Sequence, residues 1–253
     1  MFSRLMNKQF FVVLLVLLLQ VSSCTSSKTI QYENIPLQRA QIELAEAQLL
    51  DIGILIFDPN LPKEEQELIF PEVRKAEARY MPYHLKTTLE DTGFWGGIWV
   101  LPEKSEAMDL IVSGRVEISN GLKVAVRIGV WDITGREWIN KVYETTVPQS
   151  AYSKRRDHTQ DPYQNLYNKI SNDLLEIKNL LSLAELQRIS EIGDLRFAAE
   201  LIPDVYEDYL EKNSKDIISA IRLPSENDAM MERIRSVKER EFILVDTLNE
   251  YYA

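Results

Sequence analysis

The two alternating runs that flank Asn120-Gly121 constrain the fold more than any other part of the sequence. Between Asp109 and Ser119, the apolar residues Leu110, Val112, Val116 and Ile118 fall on one face. Asn-Gly follows, and both positions tolerate positive φ, which suits a tight hairpin turn. From Leu122 to Val130, Leu122, Val124, Val126, Ile128 and Val130 face inward while Lys123 and Arg127 face outward. Asp132-Ile133-Thr134-Gly135 is a second turn, leading into Glu137 to Val147. The pattern predicts an antiparallel meander with one buried and one wet face.

The flanking segments extend this frame. Leu50 to Phe57 is a nearly continuous apolar run closed by Asp58-Pro59-Asn60, which reads as a buried strand and a turn. Pro36 can open a helix through Ile42, Ala45 and Leu49. Lys63 to Thr92 has a helical pattern, but Pro71 and Pro82 each lack an N–H, so three pieces are predicted, at 64–69, 72–80 and 83–91. Gly97 to Leu101 is strand-like and stops at Pro102. Ser150 to Asp161 is a polar connection. Helices follow: from Asp161-Pro162 through Leu166, Ile170, Leu174 and Ile177; from the capping box Ser182-Leu183-Ala184-Glu185; and from Pro203 through Val205, Tyr206, Tyr209 and Leu210. A last one is capped within Ser225 to Asp228 and carries Met230, Ile234, Val237, Leu244 and Leu248 at helical spacing. The expected class is α+β: a mostly antiparallel sheet with helices on one face, followed by an α-helical C-terminal region. The expected boundaries are a leader over 1–23, a tether and short helix over 24–49, an α+β domain over 50–149 and a helical region over 158–253.

Within residues 50–147, four stretches carry a resemblance: Ile52 to Phe57, Leu85 to Gly93, Asp109 to Val116, and Val130-Trp131-Asp132-Ile133-Thr134-Gly135-Arg136-Glu137. The segment resembles the small periplasmic domain shared by the TolB N-terminal region, the curli secretion lipoprotein and the penicillin-binding-protein activator lipoproteins. That resemblance implies a fold and an envelope setting. Its members share no single activity, so it implies none here.

The N-terminus places the chain. Arg4 and Lys8 precede an uncharged stretch from Gln9 to Ser23, whose apolar heart runs from Phe10 to Leu19. As a helix that heart is roughly 15 Å long, whereas spanning a bilayer takes ~20 residues. It therefore reads as a cleaved signal peptide, with an uncleaved anchor as the weaker alternative. The chain's single cysteine, Cys24, follows directly. Val21-Ser22-Ser23-Cys24 resembles the cleavage site of a bacterial lipoprotein precursor, although Val21 stands where Leu is commonest and Ser23 where Gly or Ala is. The resemblance implies cleavage by signal peptidase II before Cys24, a diacylglycerol on its sulfur and an acyl chain such as palmitate on its amino group. Two or three chains make a durable anchor. With Thr25 rather than Asp next, the family pattern implies the outer membrane, with the domain in the periplasm. Thr25 to Glu33 reads as a polar tether. An ordinary secretory signal leaving a free thiol is the other reading of Cys24.

Charge and motifs narrow the function. Of the 29 basic residues two lie in the leader, which leaves 27 against 39 acids, a formal charge of −12. That balance argues against nucleic-acid partners and against electrostatic adsorption to anionic lipid. With Cys24 acylated no disulfide can form. The two histidines, His84 and His158, lie far apart, and the sequence contains no HExxH, no G-x-S-x-G and no phosphate-binding loop. No metal, cofactor or catalytic residue is expected. Glu64, Glu65 and Glu67 read as a solvated helix face. Candidate binding surfaces are Trp95 and Trp99, which period 2 puts on one face, and the basic run Lys154-Arg155-Arg156. Both indoles also suit a core role, and Tyr251-Tyr252 suit the seat of the last helix. The expected function is a lipid-anchored envelope protein with a binding or accessory role in an envelope complex. The alternative is a glycan- or small-molecule-binding lipoprotein using the Trp95–Trp99 strand, and a peptidoglycan hydrolase comes third. An apolar patch on the helices favours the first, an indole-lined cleft the second, and facing carboxylates in a cleft the third.

Overall fold

A single strand organises the sheet by pairing in parallel on both sides. The structure is a computed structural model that describes residues 34–61, 70–146, 161–225 and 227–252, excepting the side chains of 249–252. Strand β1 (Ile52–Leu55) lies between β2 (Ile98–Leu101) and β3 (Leu110–Ser119), with Ile52 opposite both Ile98 and Leu110. The meander continues antiparallel through β4 (Lys123–Asp132) and β5 (Glu137–Thr146), giving the order β2-β1-β3-β4-β5. Val112 faces Val130, Val116 faces Val126, and Val126 faces Tyr143, so these residues meet on one side, whereas Ile118 and Leu122, past a register shift at the hairpin end, are exposed. Both predicted turns form, with Gly121 at φ +78° and Gly135 at φ +94°, a region where a Cβ is costly. The second turn closes around Asp132, whose buried carboxylate accepts from the Thr134 N–H and hydroxyl, the Arg136 N–H and the Trp138 indole N–H.

Helices α1 (Pro71–Glu90) and α2 (Gln164–Asn179) cover one face. Met81, Leu85 and Leu89 of α1 and Leu166, Ile170 and Leu174 of α2 pack with Ile52, Ile54, Val112, Val126 and Ile128. Helix α3 (Leu183–Leu201) belongs to both sides: Leu186, Ile189 and Ile192 join that core, while Leu195, Phe197 and Ala198 join a second core under the other face. There Met231 and Ile234 of α5 (Ala229–Tyr252) meet Trp99, Leu101 and Ile111. The second face is thus covered near β2 and wet farther along, where Arg127 pairs with Glu117 at 3.0 Å. The fold is α+β with a largely helical C-terminal region, and these later helices share their cores with the sheet inside one unit, Glu33–Ala253.

Three predicted elements differ, each for a local reason. Helix α1 runs unbroken through Pro82. Proline removes the N–H that would reach the Ala78 carbonyl. The Phe57 N–H, just past β1, donates to that carbonyl instead (3.1 Å), so the missing bond is replaced across the core. The helix predicted at 64–69 lies outside the described residues. The helix predicted from Pro36 to Leu49 does not form, and only a 3₁₀ turn at Glu46–Gln48 appears. Ile42 is exposed, so that helix would have no complete apolar face. Residues 35–38 are strapped along α2 by three asparagines. Asn165 and Asn172 accept from the Ile35 and Gln38 N–H groups (both 3.1 Å), and Asn168 and Asn172 donate to the Ile35 and Pro36 carbonyls (2.7 and 2.9 Å). The helix predicted from Pro203 ends after one turn, α4 (Pro203–Tyr206). Leu210 then starts a hairpin, β6 (Leu210–Lys212) and β7 (Ile218–Ala220), whose turn Asn213 braces by accepting from the Lys215 and Ile217 N–H groups.

Both predicted caps are present. Ser182 and Glu185 exchange bonds at the start of α3, and the Asp228 carboxylate accepts from the Met230 N–H at the start of α5.

Candidate functional site

The sequence candidates separate sharply. Trp95 and Trp99 are 6% and 7% exposed and lie in different cores, so they do not form one aromatic platform. The strand begins at Ile98, after Gly96 and Gly97, and period 2 therefore does not extend back to Trp95. The Lys178 ammonium, donating to the Phe94 carbonyl, covers the Trp95 ring, and burial lowers its pKa to about 8. Trp99 stacks on Phe242 of α5 at 4.0 Å. Cys24, Lys154, Arg155, Arg156 and His158 lie outside the described residues. His84 sits 3.7 Å from the Asp161 carboxylate, stacked on Tyr167 with the Tyr80 ring tilted against it.

A charged cluster that the sequence did not single out joins the sheet to α3 and α5. Asp51 and Asp109 stand just before β1 and β3, which the parallel pairing sets side by side. The Asp51 N–H donates to Asp109 Oδ2 (2.9 Å), and the Gly97 N–H donates to Asp51 Oδ1 (2.8 Å). Asp109 is 2% exposed, and its Oδ1 has no hydrogen-bond partner among the described residues. Burial pushes its carboxyl up to about 7, against the pull of the Lys238 charge. Burial raises Asp51 as well, opposed chiefly by the Gly97 N–H. A Cβ on Gly193 would lie 2.8 Å from Asp109 Oδ1, so glycine is what lets α3 pass this close. On the far side, Asp194 of α3 holds Arg235 (2.8 Å) and Lys238 (3.5 Å) of α5.

Asp194 and Arg235 reach the wall of a groove of about 560 Å³, with Glu46, Leu49, Glu191 and Leu223 also in its lining. Neither Asp51 nor Asp109 lines it. The two sheet aspartates therefore act on strand placement and on stability, while Asp194 and its cations fasten α3 to α5.

The remaining feature is the outer surface of α5. Helical spacing puts Met230, Ile234, Val237, Leu244 and Leu248 near one face, but only Ile234 is buried. Met230, Val237, Leu244 and Leu248 are 41%, 43%, 59% and 47% exposed, an apolar strip beside the helix's packed edge.

Comparison with known proteins places few limits on this reading. No family model and no curated protein matches the chain. Among solved structures, a hypothetical protein from Chlamydia trachomatis is 8% identical, matching 51% of this chain and 96% of its own at a TM-score of 0.30. A homolog of a neuraminyllactose-binding hemagglutinin from Helicobacter pylori is 12% identical, matching 64% of this chain and 96% of its own at a TM-score of 0.26. Likenesses this slight carry neither a fold nor an activity to this chain.

Proposed function

We propose that this protein is a lipid-anchored component of the cell envelope that binds or supports a partner in an envelope complex and has no catalysis of its own. The lipid is carried on Cys24, and the domain faces the periplasm from the outer membrane. The observation behind the binding role is the α5 strip, where four apolar side chains at helical spacing stay in solvent beside a well-packed edge. The glycan-binding alternative loses its aromatic platform, because Trp95 and Trp99 are interior.

Labelling with an alkynyl palmitate, followed by membrane fractionation and crosslinked capture from intact envelopes, tests the proposal. Wild type should carry the label, sediment with outer membranes and capture a defined partner. Cys24→Ala should carry no label, leave the membrane fraction and lose the partner. A Cys24→Ala protein that stayed membrane-bound with the same partners would remove the anchor from the account.

A further inference from the structure

Helix α5 is 24 residues long, about 36 Å at 1.5 Å per residue. One edge, centred on Met231, Ile234 and Lys238, packs on the second core. Met230, Val237 and Leu244 follow one another at intervals of seven, and with Leu248 they occupy about 40° of the circumference at 100° per residue. Arg233 and Arg240, also seven apart, border the strip on its open side. Both are exposed, and among the described residues neither has an ion pair or hydrogen-bond partner. Of the helix's acids, Glu232, Glu239 and Asp246 repeat at the same interval on its back, while Glu241, half-buried between the strip and the packed edge, accepts from the Ser105 hydroxyl (3.1 Å).

We propose that this surface docks an amphipathic helix of a partner protein, one whose apolar seam lies along Met230, Val237 and Leu244 and whose carboxylates, seven residues apart, pair with Arg233 and Arg240. The inference rests on the accessory-protein reading and specifies the partner's chemistry. A seven-residue apolar repeat is the period of a helix-to-helix seam, with charges beside it choosing the partner. Two other occupants fit less well. A bilayer takes up a broad apolar face, wider than this strip, and the three back-face acids and the net charge of −10 oppose an anionic surface. A second copy, packed antiparallel about the strip, would set the arginines of one chain against those of the other.

The test uses the detergent-solubilised full-length protein and two designed helical peptides with the same leucine seam, one flanked by Glu and one by Lys. Fluorescence anisotropy should show the Glu peptide binding at least tenfold tighter. Arg233→Glu with Arg240→Glu should reverse that order while leaving the far-UV spectrum unchanged. Equal binding of the two peptides, or a preference that survives charge reversal, overturns the proposal. So does protection of residues 230–248 from hydrogen exchange in phosphatidylglycerol but not phosphatidylcholine vesicles, which would make the occupant a bilayer. Dimerisation abolished by Val237→Glu would make it a second copy and overturn it equally. If charge reversal leaves partner capture from envelopes intact, the seam assignment fails and the accessory reading stands. If wild type captures no partner at all, the accessory reading itself fails.

Discussion

Replacing Asp109 by Asn tests the central electrostatic argument about the core. The Asp109 carboxyl rises from 3.8 to about 7 because it is buried beside a second aspartate. A folded-state pKa above the unfolded one means the contribution to stability is full below about pH 3.8 and is lost as pH rises through about 7. At 1.36 kcal/mol per pKa unit, the full loss is about 4 kcal/mol, of which about 2–3 kcal/mol falls between pH 5 and pH 8. Asparagine keeps an oxygen for the Asp51 N–H, now accepted at 2.9 Å, and carries no charge to bury. Urea midpoints for wild type and Asp109→Asn at the two pH values give four stabilities. The variant's advantage over wild type should grow by about 2–3 kcal/mol from pH 5 to pH 8. A difference that stayed constant, or shrank, would mean that Asp109 is ionised in the fold at no cost, and the burial argument would be wrong.

Trp99→Ala removes an indole that fills the second core and stacks on Phe242, and should cost about 3–5 kcal/mol in chemical denaturation; a variant as stable as wild type would return Trp99 to the list of surface residues. Gly193→Ala puts a methyl 2.8 Å from Asp109 Oδ1 and should lower stability by about 1–3 kcal/mol, read as a drop in Tm. Asn172→Ala frees the Gln38 N–H and the Pro36 carbonyl; amide exchange at Gln38 should quicken while exchange in β3 and β4 stays unchanged, and slowed or unaltered exchange at Gln38 would contradict the strap.

The parts of the fold that were legible in the sequence depend on local rules. The Asn120-Gly121 hairpin, the Asp132 turn and the Ser182 and Asp228 caps each follow from residues within a few positions of one another, and each is present. What the sequence concealed depends on distant partners. Pro82 looks like a break until Phe57 is seen to take over the Ala78 carbonyl. The Pro36 region has helical spacing, yet asparagines some 130 positions away claim its backbone. The two aspartates became a pair only when β1 was inserted beside β3. The α5 strip was legible as periodicity, but periodicity alone did not reveal that Ile234 turns inward while Val237 and Leu244 remain in solvent.

The asparagine strap also determines where mechanical load enters the domain. If the chain is held at Cys24, about ten residues separate that point from Asn34, a contour of at most ~35 Å. A pull from that end meets Asn165, Asn168 and Asn172 before it reaches the sheet. Peeling these bonds would free residues 35–38 and lengthen the path by roughly 15 Å, up to Ala40, whose N–H is held by the Thr92 carbonyl (2.8 Å). The strap is in this sense a strain relief: it takes the first load from the N-terminal side and yields before the sheet does.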